Sequence, residues 1–153
     1  MFQSADSIED NEGHGAEGIL MYPVEYLNSI NCSGLPLAKL ALKVGCPIMV
    51  LRNINPGEGV CNGSCGILTP ATSRVLEVRL LTGEHAGELI FIPQMGIIPN
   101  ETQVPFKLQR VQFPVRLCFA MTINKSQGQS VNHVGIDARS AVFTHEQLYV
   151  AIS

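Results

Sequence analysis

Phe119-Ala-Met-Thr-Ile-Asn-Lys-Ser-Gln-Gly-Gln-Ser130 passes from an apolar run straight into hydroxyl, amide and ammonium side chains, then reaches a glycine. Val115 to Thr122 (VRLCFAMT) reads as a buried strand, and Asn124 to Ser130 as the polar loop that follows it. Such a loop offers donors for phosphate oxygens, and Gly128 lets the backbone approach a ligand closely. An ordinary polar turn after a strand has the same composition, so this stretch alone leaves both readings open. Downstream, His133-Val-Gly-Ile-Asp137 reads as a second short strand. Thr144-His-Glu-Gln147 fits a capping box, with the apolar Leu148, Val150, Ala151 and Ile152 opening a helix behind it. Strand, polar loop, strand, helix is an α/β rhythm, in which ligands sit at the carboxyl ends of strands.

Upstream the signals are those of strands. Pro47-Ile-Met-Val-Leu-Arg52 is an apolar run bounded by Gly45 and Asn53. Asn55-Pro-Gly57 and Asn62-Gly63 are turn sequences, because glycine accepts positive φ without steric cost. Gly66 to Thr69, Arg74 to Thr82 and Glu88 to Pro93 follow at short spacing, with Gly83 and Gly87 bracketing a hairpin loop. Val75, Glu77, Arg79 and Leu81 do not alternate cleanly with their neighbours, which leaves the register there open. Several short strands with glycine-rich turns predict a small β-barrel over 55–100. Residues 35–43 fit either a short turn or a strand entry. Residues 1–20 carry five acids and no Lys or Arg, and predict an acidic flexible linker. Ser7-Ile-Glu-Asp10 has no apolar strand before it and falls in that linker.

The chain has 153 residues, 46% of them hydrophobic and 15% charged, enough to bury a core. No apolar run approaches the roughly eighteen residues of a membrane helix, and the acidic amino terminus has no apolar core of a signal peptide. The net charge of −3 hides an asymmetry: beyond residue 20, ten bases face eight acids. Lys107, Arg110, Arg116 and Lys125 lie between Thr102 and Ile136 without an intervening acid. That field would attract a polyanion, or it is a solvated basic face. Five irregularly spaced Cys argue for reduced, partly buried thiols in an intracellular, reducing setting, and no Cys or His pair completes a zinc site. His14, His85, His133 and His145 are scattered and read as surface residues. The six Phe are flanked by apolar residues and read as core in preference to a base-stacking platform.

Thr122-Ile-Asn-Lys-Ser-Gln-Gly-Gln-Ser130 resembles motif V of Pif-type DNA helicases, the superfamily-1B, RecD-related group, and most of all its Helitron-like branch with Asn at position 124. SADSI (4–8), YPVEYLNSINCSGLP (22–36), LKVGCPIMVLRN (42–53), VCNG (60–63), LTGEHAGELIFIP (81–93), PFKLQRVQFPVRL (105–117) and QLYVAIS (147–153) follow the family order. Each is weak alone, and their coincidence in order is specific. The resemblance implies an α/β chain: part of the second RecA-like (P-loop NTPase) motor domain with an inserted small β-barrel, the 2B subdomain. On that reading 21–54 is the lead-in and first strand of domain 2A, 55–100 the barrel, and 101–153 the return to 2A with motif V and a truncated motif VI. Thr122, Asn124, Lys125, Ser126 and Gln127, with Asn62 and Gly63 of the barrel turn, become the implied DNA contacts. Gly128, Gln129 and Ser153 become the implied ATP-cleft residues. No catalytic residue and no metal ligand is assigned.

The intact helicase would use ATP and Mg and partner single-stranded DNA, without a membrane. It would unwind 5′ to 3′ in the nucleus, in repair, recombination, telomere maintenance or transposon replication. The sequence contains no G-x-x-x-x-G-K-[ST] loop, and it stops one residue before the arginine that motif VI places at the γ-phosphate. The expectation is a carboxy-terminal fragment that needs an amino-terminal motor domain with a Walker A loop, and that neither hydrolyses ATP nor unwinds DNA alone. The alternative is a non-enzymatic module whose barrel binds nucleic acid or protein. Where the family usually reads N-G-T-R, this chain has Asn62-Gly63-Ser64-Cys65, and Gln94 and Val111 stand where relatives often carry Arg. Three absent cations predict weak, salt-sensitive binding to single strands.

Overall fold

The computed structural model describes residues 1–9, 22–32, 34–99, 106–127, 134–137, 139 and 145–152. Its main element is a five-stranded antiparallel sheet in the order β10-β4-β5-β6-β7. The strands are β4 (Pro47–Val50), β5 (Cys65–Ala71), β6 (Val75–Leu80), β7 (Leu89–Pro93) and β10 (Val115–Leu117). Alternation dictates its inner face. Leu76, Val78 and Leu80 of β6 point inward, as do Ile90 and Ile92 of β7, while Glu77 and Arg79 point out. The register is Val78 opposite Ile90 on one side and opposite Leu68 on the other; the β5 side then shifts between Leu68 and Ala71, which faces Leu76, so the irregular alternation of 74–82 meets an irregular ladder. Ile48, Val50, Val60, Phe113 and Val115 complete this core, and Phe2 meets Phe113 edge-on at 5.0 Å. Strands β4 and β10 lie outside the 55–100 span expected for the barrel, yet both are hydrogen-bonded members of this sheet.

A second sheet has the order β2-β9-β8, from β2 (Ala5–Glu9), β8 (Met95–Ile97) and β9 (Lys107–Gln112). β1 (Phe2–Gln3) pairs with β3 (Lys39–Leu40). Phe2–Gln3 and Ala5–Glu9 are therefore strand, which corrects the flexible-linker expectation for that part of 1–20; residues 10–20 lie outside the described residues. The physical reason lies far away in sequence. Asp6 sits directly opposite Arg110 in the β2–β9 ladder, and both side chains are wholly buried. Arg110 Nε donates to both Asp6 carboxylate oxygens at 3.0 Å, and Nη2 to Oδ2 at 2.7 Å. Its remaining protons go to the carbonyls of Ile30 at 3.2 Å, Pro36 at 3.0 Å and Leu27 at 2.8 Å. The Leu27 carbonyl closes helix α1 (Val24–Ser29), so the guanidinium satisfies a helix-end acceptor as well as a charge. Leu27, Leu35, Ile97 and Leu108 form the second core, flanked by Tyr22 and Phe106 at 4.5 Å. Arg110 is thus removed from the basic field expected around 102–136.

Beyond β10 the chain departs from expectation. The strand ends at Leu117, not Thr122, because its partner strand begins at Pro47. The Cys118 amide donates to the Pro47 carbonyl at 3.0 Å, and proline has no amide proton to return. Cys118 is buried, but Phe119 is 76% exposed, so 119–121 is not a buried stretch. A four-residue helix, α2 (Ile123–Ser126), takes up the start of the loop expected over 124–130, of which 128–130 lie outside the described residues. Residues 134–137 are exposed and lack regular structure, which corrects the predicted second strand, and His133 lies outside the described residues. Helix α3 (His145–Ile152) forms where the capping pattern placed it, although Thr144 lies outside the described residues. Sheets with few helices fit a small sheet subdomain joined to part of an α/β RecA-like domain. No described helix is long and apolar enough to cross a membrane.

Candidate nucleic-acid interface

Three segments distant in sequence converge on the outer face of the five-stranded sheet. The first is the 59–64 turn. The Ser64 amide donates to the Cys61 carbonyl at 3.0 Å, and Gly63 takes φ +95°, which glycine alone adopts without strain. The Ser64 hydroxyl donates to the Gly59 carbonyl at 2.7 Å, and the Asn62 amide donates to Asn53 Oδ1 at 2.8 Å. The Val50 amide donates to the Ser64 carbonyl and the Gly63 amide donates to the Val50 carbonyl, both at 2.9 Å, so β4 carries the turn.

The second segment is the 81–87 loop between β6 and β7. Leu81 donates to the Cys65 carbonyl at 2.8 Å, and Thr82 Oγ1 accepts from the Cys65 amide at 3.3 Å. The loop leans on the turn: a methyl group built on Gly59 would stand 3.1 Å from the His85 ring. His85 Nδ1 lies 3.1 Å from Glu88.

The third segment is Met121 to Gln127. Thr122 occupies the N-cap position of α2 without a side-chain cap bond, and its carbonyl accepts from the Lys125 amide at 2.9 Å. Between the three segments lies a groove of about 960 Å³. Its floor is sulfur-rich: Cys65, Cys118 and Met121 pack around Met49.

Four of the implied DNA contacts, Asn62, Gly63, Lys125 and Gln127, line this one groove. Thr122, Asn124 and Ser126 do not. Asn124 Oδ1 accepts from Gln147 of α3 at 3.3 Å, and the Ser126 hydroxyl donates back to the Ile123 carbonyl at 2.7 Å. Gly128, Gln129 and Ser153, the implied ATP-cleft residues, lie outside the described residues. The basic field is not one surface: Lys107 is exposed on β9, Arg110 is buried, and Arg116 is partly buried with its Nε unpartnered among the described residues. Cys61, Thr82 and Glu84 also line the groove, and none of them was among the implied DNA contacts. The Gly83–Gly87 hairpin was the available signal, because a glycine-rich loop after a strand projects beyond its sheet. All five Cys are free thiols, three of them buried, and burial pushes the Cys32 thiol up from its ordinary pKa. Among the described residues no group of three His, Cys, Asp or Glu side chains is placed to hold a metal ion.

The family described as "DNA helicase Pif1, 2B domain" matches residues 25–70, from α1 into β5. ATP-dependent DNA helicase PIF1 of Homo sapiens is 35% identical over 117 residues, covering 74% of this chain and 17% of that protein. ATP-dependent DNA helicase Pif1 of Bdellovibrio bacteriovorus is 32% identical over 119 residues, covering 77% of this chain and 26% of that protein. The solved Pif1 helicase from Bacteroides in complex with ADP-AlF3 and ssDNA is 26% identical with a TM-score of 0.57. It matches over 99% of this chain and 31% of that one. The chain thus spans about a quarter or less of the curated relatives quoted. In sequence and in fold, it matches a fragment of the Pif1 DNA helicase family, the fragment that carries the 2B domain.

Proposed function

We propose that this chain is the part of an ATP-dependent DNA helicase that grips a single strand of DNA and contributes one wall of the ATP cleft. The observation that carries the reading is the groove. It joins Asn62 and Gly63 to Lys125 and Gln127 across some sixty residues of sequence. The turn and the loop are held by backbone bonds, so the Lys125 ammonium and two side-chain amides face a preformed surface. An ammonium neutralises one phosphate, and amides bond sugar, phosphate or base. Thr122, Asn124 and Ser126 flank the groove on α2, and Gly128, Gln129 and Ser153 complete the nucleotide side in this reading. The ADP-AlF3 and ssDNA carried by the Bacteroides relative support both ligands for the intact motor.

ATP and Mg belong to the intact enzyme. This sequence has no G-x-x-x-x-G-K-[ST] phosphate loop. In this reading both are held by an amino-terminal motor half with a Walker A loop. The parent motor would run 5′ to 3′ in the nucleus, serving repair, recombination or telomere maintenance. The test is a titration of labelled oligo(dT) by anisotropy across a salt series. Binding should be weak and salt-sensitive, and Lys125→Gln should flatten the salt dependence by roughly 0.7 in log–log slope, one single-strand phosphate contact. No binding at low salt and high micromolar protein overturns the proposal.

A further inference from the structure

We propose that the groove seats an unstacked nucleobase of the bound strand, with its floor against the base face and its two amides on the base edge. This rests on the single-strand reading above and deepens it. Three observations point to a base.

The first is charge. The side chains lining the groove include one cation, Lys125, and one acid, Glu84. A channel that tracks several phosphates needs a surplus of cations, which this lining lacks. One ammonium suits the single phosphate attached to a base held beside it.

The second is the floor. Cys65 and Cys118 are 7% and 9% exposed, and Met121 packs against them over the fully buried Met49. Polarizable sulfur makes favourable contacts with aromatic faces, and such a surface has little to offer a phosphate. A flat heteroaromatic ring covers it without leaving a polar group unpaired.

The third is the rim. Asn62 lies on the 59–64 turn and Gln127 just beyond α2. Each side-chain amide carries a donor and an acceptor, the pattern that reads base edges. Neither amide is engaged by another described residue, the Asn62 bond to Asn53 being made by its backbone amide. They are left with their hydrogen-bonding capacity turned to the groove.

The test compares the whole chain binding two strands of equal length, oligo(dT) of about ten nucleotides and the same backbone made fully abasic. Both carry the same phosphates. The abasic strand should bind roughly tenfold more weakly, the loss expected from one stacked and bonded base. Gln127→Ala, at an exposed position whose loss leaves the cores intact, should narrow that gap. Equal affinity for the two strands, or a gap that Gln127→Ala leaves untouched, overturns the base site while the strand reading stands. Absence of binding to either strand overturns both.

Discussion

Replacing Asp6 with Asn changes almost no volume and removes one charge. The consequence should be large. Arg110 is buried to 0% exposure, and Asp6 is the carboxylate paired with it. In the variant, one amide oxygen still accepts from Nε. The new NH2 group then faces guanidinium protons that had bonded Oδ2 at 2.7 Å and 3.0 Å. Removing one partner of a buried pair costs about 3–5 kcal/mol, and the retained acceptor places Asp6→Asn at about 3 kcal/mol. With a urea slope of about 2 kcal/mol per molar, the unfolding midpoint should fall by about 1.5 M. Arg110→Met should cost more, since it also strands the carbonyls of Leu27, Ile30 and Pro36 at about 1–3 kcal/mol for each one left buried. The double variant Asp6→Leu with Arg110→Met should recover part of the loss, because no charge is left buried, but not the three carbonyls. The assay is urea unfolding followed by circular dichroism. A midpoint for Asp6→Asn within about 0.3 M of the parent would refute the claim that this pair fastens the amino-terminal strand to β9.

Further outcomes follow from the same geometry. Gly66→Ala should destabilise the five-stranded sheet by about 1–3 kcal/mol, read from the same unfolding curve, because its new methyl would collide with Val78 Cγ1 and meet the Arg79 carbonyl at 2.8 Å. Gly59→Ala should lower stability too and loosen the 81–87 loop, seen as faster amide exchange at 82–86, since Gly59 has φ +74° and a methyl there would crowd the His85 ring. Cys32 should alkylate slowly with iodoacetamide at pH 8. Its rate should still be climbing above pH 9, because burial raises its pKa above the ordinary 9.0 and so lowers the thiolate fraction at any given pH.

The central strands were legible because their signal is local. Pro47–Val50, Val75–Leu80 and Leu89–Pro93 are β-branched and apolar runs, and Gly83 and Gly87 mark the loop between the last two. The amino-terminal strand was not legible. Ala5–Glu9 is short and acidic, and its inward charge becomes tolerable only through Arg110, 104 residues later. A basic residue on a strand looks the same in sequence whether it faces solvent or carries a buried carboxylate, so Arg110 read as part of an exposed basic field, open to a polyanion or simply solvated. The VRLCFAMT run erred the other way. Its composition suits a buried strand of eight residues, but the ladder stops at Pro47 and leaves Phe119 in solvent. The groove was half legible: the polar residues after Met121 and the Asn62-Gly63 turn stood out separately, while their meeting over Cys65 and Cys118 depends on strands pairing at long range.

Cys61 reports on where a DNA strand sits. It lines the groove and is partly exposed, whereas Cys32 packs beside the second core, away from the groove. Alkylation of both thiols should be followed by mass spectrometry with and without saturating oligo(dT) at low salt. DNA should slow alkylation of Cys61 and leave Cys32 unchanged. Equal Cys61 rates in the bound and free protein would contradict it.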